Sequence, residues 1–193
     1  MTVRPLAQDP EVPIRGLTRE LYEALVDQGA FDGQHVELLA GEIVEMAPQK
    51  WPHSRSVDDI AWALDRALLA RHGEAHRVRQ EKPLAANDLS EPEPDVSVVD
   101  TTAMHAGSHP TTAHLVVEVS DSSRRVDLAH KPRVYAAARV PEYWVVDLTD
   151  RSVVVHRDPE PGGRPPYRNV QRLPWTTPLT VLDVTLTLAD VLG

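Results

Sequence analysis

The chain has 193 residues, with 29 acidic and 20 basic side chains and a formal net charge of −9. That length supports one domain with a sizeable core. The absence of cysteine excludes disulfides, thiolate metal sites and cysteine nucleophiles, so histidines and carboxylates remain as metal ligands. A negative net charge is unusual for a nucleic-acid-binding protein, because such binding draws on phosphate neutralisation.

The N-terminal sequence lacks the apolar core of a signal peptide, and no apolar run approaches the length of a membrane span. We therefore expect a cytoplasmic protein without membrane contact. Residues 1–16 are rich in proline and show no periodicity, which predicts a flexible N-terminal arm. Residues 17–193 are expected to form a single domain.

The first predicted elements are a short helix and a hairpin. Thr18 is typical of a helix N-cap, and the helix is expected over residues 19–28, followed by a glycine. Residues 35–47 predict a β-hairpin, because two apolar runs flank a glycine-containing turn. The acids of this hairpin, including Glu37, are interpreted first as surface or structural charges.

A long helix is predicted over residues 52–71, where apolar residues recur at spacings of three and four. His53 lies at its start. Because a helix N-terminus attracts anions, His53 could contact a phosphate or a catalytic acid. A capping or solvated histidine is an equally good interpretation.

The next segment alternates as a strand over residues 76–85, and a turn punctuated by prolines leads from it to Asp95. A polar excursion then separates two further strands. It contains His105 and His109, which are four residues apart in a segment without a helical pattern. We interpret both as loop histidines rather than zinc ligands.

Two apolar strands each carry one acid. Asp95 opens the run VSVV, and Glu118 interrupts the run LVVEV, a pattern typical of strands covered on both faces. A buried charge is costly without a compensating partner, and a metal ion suits acids near strand ends. The pair therefore predicts a metal site, although each acid alone is more often a turn cap or the partner of an arginine such as Arg124 or Arg125.

The segment after Glu118 predicts a turn and then a helix over residues 127–139. Lys131 precedes Pro132, which disfavours the helical conformation at the lysine and removes an amide donor. The helix is therefore expected to be kinked there or to start late. Asp127 lies four residues before Lys131 and would pair with it only if that helical turn stays intact.

The C-terminal part of the chain is predicted to be mainly β. Strands are expected at residues 143–148 and 151–157, with Trp144 in the core rather than exposed for base stacking. A loop rich in proline and glycine follows at residues 158–167. An alternating strand at residues 179–188, with a short helical tail, closes the chain.

The order and spacing of these residues resemble a known family. They are similar to the bacterial Uma-two family of restriction endonucleases, a branch of the PD-(D/E)XK nuclease superfamily. The matching residues are PD at 94–95, EVSDSS at 118–123, Asp127, Lys131, VPEYWVVD at 140–147 and, upstream, residues 36–43, 48–53 and 90–92. The resemblance covers about residues 17–156. It implies an α/β fold with a restriction-endonuclease-like core, in which helices flank a mixed β-sheet. It also implies a homodimer, because cutting two strands commonly takes two active sites.

The predicted catalytic residues are Asp95, Glu118 and Lys131. The two acids would bind Mg²⁺ directly, with the backbone carbonyl of Val119 as a third ligand, and Mn²⁺ would substitute for Mg²⁺. Lys131 would orient or deprotonate the attacking water, or hold a phosphate oxygen. The second position after Glu118 is Ser120 rather than the lysine of the superfamily's name, so the amine would come from the following helix, as in the resembled branch.

Four further residues are candidates for supporting roles. In the resembled family the residue matching Glu37 lies near the active cleft, so Glu37 would join the site as a supporting acid. The others are the predicted neighbours of the three catalytic residues: His53, Ser120 and Asp127.

These observations leave three functions open. The first is a Mg²⁺-dependent DNA endonuclease that hydrolyses phosphodiester bonds, which the complete set of two acids and a lysine favours. The second is a catalytically weak nuclease fold that acts as a DNA-binding or protein-interaction module, which the acidic net charge and the displaced lysine favour. The third is a small-molecule hydrolase that uses the same metal site.

Overall fold

The computed structural model describes residues 16–104, 107–120 and 124–193, with side chains from residue 127 onward in the last range. The predicted arm, apart from Gly16, and His105 lie outside these residues, as do the side chains of Arg124 and Arg125. The division into an arm and a single domain therefore stays a prediction.

The chain alternates between helices and strands. In order, the elements are α1 (Arg19–Asp27), β1 (Val36–Leu39), β2 (Glu42–Glu45), α2 (Trp51–His72), β3 (His76–Gln80), β4 (Val96–Asp100), β5 (Leu115–Ser120), α3 (Arg124–Ala129), α4 (Lys131–Ala137), β6 (Glu142–Asp147), β7 (Ser152–Pro159), β8 (Tyr167–Pro174), β9 (Leu179–Val181), β10 (Val184–Leu186) and α5 (Leu188–Leu192).

Six of the strands form a mixed sheet in the order β3-β4-β5-β6-β7-β8. Neighbouring strands are antiparallel except β5 and β6, which are parallel. A parallel pair requires a crossover connection, and α3 and α4 provide it. The strands β1 and β2 form one separate hairpin, and β9 and β10 form another. The predicted mixed sheet flanked by helices is confirmed.

Both faces of the sheet are covered, as the apolar sequences of β4 and β5 predicted. On one face α2, α5 and the β9–β10 hairpin enclose a core that includes Val96, Val117 and Trp144. On the other face α4 and residues 84–86 pack over Val116, Tyr143 and other side chains. All six residues of β5 are buried, so Glu118 lies in the interior of the protein.

The long helix α2 follows its predicted apolar stripe. Its buried side chains include Ile60 and Leu64, neither of which has measurable exposure, whereas Trp62 and Leu69 face outward. A proline stands in its first turn, and its C-cap is Gly73 at a φ of 61°, a left-handed conformation that glycine adopts most easily. Among the described residues, no helix combines the length and the apolar content needed to cross a lipid bilayer.

The β1–β2 hairpin is held by backbone contacts at its turn. Gly41 has a φ of 85°, and a Cβ atom there would lie 2.6 Å from the Cα of Gly16. The Leu17 amide donates to the Gly41 carbonyl at 2.8 Å, and the Gly41 amide donates to the Leu89 carbonyl at 2.7 Å. An isolated bridge between Leu38 and Glu91 joins the hairpin to the segment that leads to Asp95.

Three predicted elements differ from those observed, and one observed strand was not predicted. The strand expected at residues 76–85 ends at Gln80, and β8 lies largely where no strand was predicted. The single strand expected at residues 179–188 is a hairpin, because Leu182 and Asp183 adopt φ values of 48° and 58° and reverse the chain. The helix expected at residues 127–139 is two helices, α3 and α4.

The packing of α2 on the sheet gives a test of the fold. Leu64→Ala removes a fully buried side chain and is expected to lower the free energy of unfolding by about 2–5 kcal/mol. Leu69→Ala, on the same helix at 54% exposure, should change it by less than about 0.5 kcal/mol. Urea denaturation of both variants measures the difference, and equal effects would contradict the assignment of the buried face.

Candidate active site

The two predicted metal ligands lie next to each other at one end of the sheet. In the antiparallel pairing of β4 with β5, Val96 lies opposite Val117. The next position in this register brings Asp95 beside Glu118. The Val119 amide donates to the Asp95 carboxylate at 2.6 Å, which fixes Asp95 against β5.

Lys131 joins these acids from the crossover. Its ammonium group donates to the Glu118 carboxylate at 3.0 Å. It also lies 3.2 Å from a carboxylate oxygen of Glu37 and 3.9 Å from one of Asp127. The four side chains are almost completely buried, with exposures of 4% for Lys131, 3% for Glu118, 2% for Glu37 and 1% for Asp127.

The break between α3 and α4 orients the Lys131 side chain toward the sheet. Pro132 has no amide to donate, so it is tolerated in the first turn of α4, and Lys131 is the first residue of that helix. The chain therefore ends one helix and starts another around His130 instead of kinking a continuous helix. Asp127 still reaches Lys131 across the break, and the Tyr143 hydroxyl donates to the Asp127 backbone carbonyl at 2.7 Å.

The location of Glu37 contradicts the surface role that the first interpretation allowed for it and leaves the structural role open. Glu37 is buried rather than at the surface, and it contacts Lys131. Its second carboxylate oxygen accepts a hydrogen bond from the Glu93 amide at 3.1 Å. The supporting position that the family resemblance implied for Glu37 agrees with this geometry, although its role stays a prediction.

His53 approaches the site from the N-terminus of α2. Its Nε2 atom lies 3.3 Å from the Asp95 carboxylate, and its Nδ1 atom is buried without a hydrogen-bond partner in the described part of the chain. Burial would lower the pKa of His53, but the hydrogen bond to Asp95, its negative charge and the Val119 carbonyl raise it above its ordinary value. The positively charged imidazolium is therefore favoured beside Asp95.

Two other side chains complete the surroundings of Glu118. The Tyr135 hydroxyl donates to the Glu118 carboxylate at 2.5 Å, a contact that the sequence analysis missed. Tyr135 follows Lys131 by four residues, and this spacing on one helix face was the available indication. Ser120 is buried two residues after Glu118, but within the described ranges its hydroxyl has no hydrogen-bond partner, so nothing there links it to Lys131.

The charges of this group are unbalanced. Burial raises the pKa of Glu118 well above its usual range; Lys131 opposes this shift, whereas Asp95, Asp127 and Glu37 add to it. Burial would lower the pKa of Lys131, but Glu118, Glu37, Asp127 and Asp95 raise it above its ordinary value. The lysine therefore stays protonated, and the surplus negative charge favours uptake of a proton or a cation.

An open cleft of about 1050 Å³ gives access to this group. Its lining includes seven acids, three lysines and two histidines: Glu37, Glu45, Glu81, Glu93, Asp95, Glu118, Asp127, Lys50, Lys82, Lys131, His35 and His53. Carboxylate oxygens and a surplus of negative charge fit a hard divalent cation such as Mg²⁺. Asp95, Glu118 and the Val119 carbonyl are the residues that would hold it.

A second group of possible metal ligands lies elsewhere in the sheet. In the described ranges, His76, Asp100 and His114 are the only three His, Cys, Asp or Glu residues whose ligand atoms all lie within 4.8 Å of one another. Burial and the charge of His114 lower the pKa of His76, which favours its neutral, metal-binding form. The sequence analysis missed this group and considered His105 and His109 instead.

The fold is similar to that of a protein whose structure has been solved. The chain is similar to a crystal structure of “a putative nuclease belonging to DUF820” from Anabaena variabilis ATCC 29413, with a TM-score of 0.63 and 15% sequence identity over 81% of this chain and 89% of that chain. At that identity the likeness shows the fold. A comparison with curated proteins found no match.

The family model of Uma2, described as “Putative restriction endonuclease”, matches residues 19–189. The chain belongs to this family. The resemblance drawn from the sequence is therefore confirmed, whereas the roles of the individual site residues stay predictions.

The charge balance around Lys131 predicts its effect on stability. Lys131→Met leaves three carboxylates without their ammonium partner and is expected to lower the free energy of unfolding by about 3–5 kcal/mol. Glu118 already binds a proton more tightly in the folded state, so stability falls as the pH rises above the ordinary range of a carboxyl. Removal of the lysine strengthens this trend, so Lys131→Met should lower the free energy of unfolding more at pH 8 than at pH 5.

Urea denaturation at both pH values measures this effect. Arg133→Met, an exposed position on the same helix, is the matched control and should change the free energy of unfolding little at either pH. A Lys131→Met penalty that is equal at pH 5 and pH 8 would show that packing, rather than charge, explains the loss.

Proposed function

We propose that the protein is a Mg²⁺-dependent DNA endonuclease that hydrolyses phosphodiester bonds at the cleft formed by Asp95, Glu118 and Lys131. The observation that carries this proposal is the convergence of two strand acids and a buried lysine at one end of the sheet. Membership of a family described as restriction endonucleases supports it. The proposal includes a homodimer, because cutting both strands commonly takes two active sites.

The cation is essential to this proposal because the cleft itself is acidic. A DNA phosphate that enters among seven carboxylates is repelled unless their charge is neutralised. A bound divalent ion would supply that neutralisation and would lower the pKa of a water molecule that attacks phosphorus. Asp95, Glu118 and the Val119 carbonyl would hold it.

Lys131 acts as a charged donor in this mechanism. The surrounding acids raise its pKa, so at neutral pH it carries a proton and cannot accept one from water. Its ammonium would orient the attacking water or hold a non-bridging phosphate oxygen. Of the roles open from the sequence, deprotonation of water is the one that this electrostatic environment disfavours.

His53 has a supporting role. Its raised pKa favours the imidazolium, and it lies at the N-terminus of a 22-residue helix, where the partial positive charge also attracts anions. It would contact a phosphate next to the scissile bond while it pairs with Asp95. Glu37 and Asp127 would hold the Lys131 ammonium in place.

The acidic lining also favours a second function, a nuclease fold with weak or no activity that acts as a binding module. Three lysines against seven acids are a poor match for a DNA backbone. In this alternative the buried ion pairs of Lys131 serve the structure alone. DNA or protein binding without cleavage would distinguish this module from the enzyme.

Cleavage of supercoiled plasmid in the presence of Mg²⁺ or Mn²⁺ tests the enzyme directly. We expect metal-dependent nicking that Asp95→Asn and Glu118→Gln each reduce by at least about 100-fold, because each removes a charged ligand. Asp65→Asn and Glu74→Gln make the same chemical changes at exposed positions of α2 and the turn after it, and should keep full activity.

The outcome of this assay separates the two functions. Circular dichroism must first show that each variant is folded. Nicking that survives both site substitutions would point to a contaminating nuclease and would contradict the assigned site. Binding of plasmid without cutting, by the unmodified protein, would favour the module.

The role of Lys131 predicts separate effects on turnover and metal affinity. Lys131→Met should reduce turnover by about 10²–10⁴-fold. It should not weaken Mg²⁺ binding, because removal of a positive charge leaves the carboxylates more attractive to a cation. Single-turnover kinetics at several Mg²⁺ concentrations measure both quantities, and a parallel loss of turnover and affinity would indicate a structural role alone.

A further inference from the structure

Three side chains from neighbouring strands meet at the end of the sheet opposite to the cleft. His76 is the first residue of β3, Asp100 is the last residue of β4, and His114 directly precedes β5. His76 and Asp100 are partners in the β3–β4 register. The three residues are 24 and 14 positions apart in the sequence, so the fold alone brings them together.

The spacing of their ligand atoms matches a metal site. One carboxylate oxygen of Asp100 lies 3.4 Å from Nδ1 of His76 and 2.9 Å from Nε2 of His114. Ligands at the usual zinc–nitrogen and zinc–oxygen distances in a tetrahedral site are roughly 3.3 Å apart. The two measured distances lie on either side of this value.

Hydrogen bonding accounts for only part of this arrangement. Nε2 of His114 forms a hydrogen bond with Asp100. Nδ1 of His76 is buried and lies 3.4 Å from the same oxygen, too far for a strong hydrogen bond, and it has no closer partner in the part of the chain that the structure describes. A buried imidazole nitrogen normally has a partner, and a cation shared by the three side chains would provide one.

We propose that His76, Asp100 and His114 form a binding site for a divalent transition-metal ion of the zinc type. Two imidazoles and one carboxylate are a ligand set that suits zinc and its neighbours rather than Mg²⁺, which prefers oxygen ligands alone. The side chains of His114 and Asp100 are 32% and 51% exposed, so an ion can enter from solvent. Water would complete the coordination.

This site is separate from the proposed nuclease cleft. Asp95 precedes the first residue of β4 and Asp100 is its last, so four residues of extended strand lie between them and the two sites are roughly 17 Å apart. An ion here would join β3, β4 and β5 and would stabilise the strands that carry Asp95 and Glu118. Because the two sites are separate, this proposal does not depend on nuclease activity.

Titration of the metal-free full-length protein with ZnCl₂, followed by calorimetry and thermal unfolding, tests the site. We expect this group to bind one Zn²⁺ per chain. The Tm should rise by roughly 5–10 °C when free Zn²⁺ is about 100 times its Kd. An excess of MgCl₂ should not compete. Co²⁺ in place of Zn²⁺ should give visible absorption bands that report coordination by nitrogen and oxygen.

Variants assign the ion to these residues. His76→Ala, His114→Ala and Asp100→Asn should each weaken Zn²⁺ binding by more than about 10-fold, since even loss of a residue that only orients a ligand costs about 10–100-fold. Asp100 is the most exposed of the three, so Asp100→Asn keeps the test valid if a histidine variant fails to fold. The double variant His53→Ala, Asp95→Asn is the control for zinc in the cleft and should bind as before.

Two results would overturn the proposal. One is the absence of Zn²⁺ binding, or binding that Asp100→Asn leaves intact. The other is binding that disappears only in the His53→Ala, Asp95→Asn variant, which would place the ion in the cleft. Loss in Asp100→Asn together with retention in the double variant would support the site.

Discussion

The site depends on one buried ammonium group surrounded by carboxylates. Lys131 lies within 4 Å of Glu118, Glu37 and Asp127, and Asp95 is close enough to influence the same charges. Desolvation makes such a group expensive, and breaking a buried pair is usually more harmful than replacing it with apolar side chains. A protein selected for stability alone would gain little from this arrangement. The surplus negative charge agrees with the cation site that we propose in the cleft.

The fold builds this group from three separate parts. The sheet provides Asp95 and Glu118 on adjacent strands, the crossover between β5 and β6 provides Lys131 and Asp127, and the β1–β2 hairpin provides Glu37. The sheet and the hairpin hold acids without a matching base, and the crossover holds one base and one acid, so none of these parts forms the group alone. Formation of the group therefore requires pairing between residues that are distant in the chain, which is slow relative to local structure.

Much of the fold could be predicted because local patterns and tertiary packing agree. The apolar runs around Glu118 predicted a strand buried on both faces, and the stripe of α2 predicted its buried side. Prediction failed where tertiary context decides. The strand β8, with most of its side chains exposed, lacks an apolar alternation, and the turn of the β9–β10 hairpin uses Leu182 and Asp183 without glycine.

The site was predicted in part for similar reasons. The convergence of Asp95, Glu118 and Lys131 followed from their order, but the burial of Glu37 depends on how the hairpin docks, which no local pattern encodes. The same limit explains why the sequence analysis weighed only His105 and His109 as zinc ligands, which it rejected, and missed the group formed by the fold. Spacing along a chain identifies ligands that share one element, whereas His76, Asp100 and His114 come from three strands whose register was unknown.

The contact between Gly41 and Gly16 has a consequence for how this protein tolerates change. The close approach of two glycine backbones fixes the hairpin turn, so main-chain atoms help to set the location of Glu37, together with its contact with Lys131. The exposed side chains of β2, Glu42, Ile43 and Glu45, take no part in this contact, so their substitution is not expected to displace the acid. Because Glu45 also lines the cleft, the charge at that position can change while the hairpin turn keeps its place.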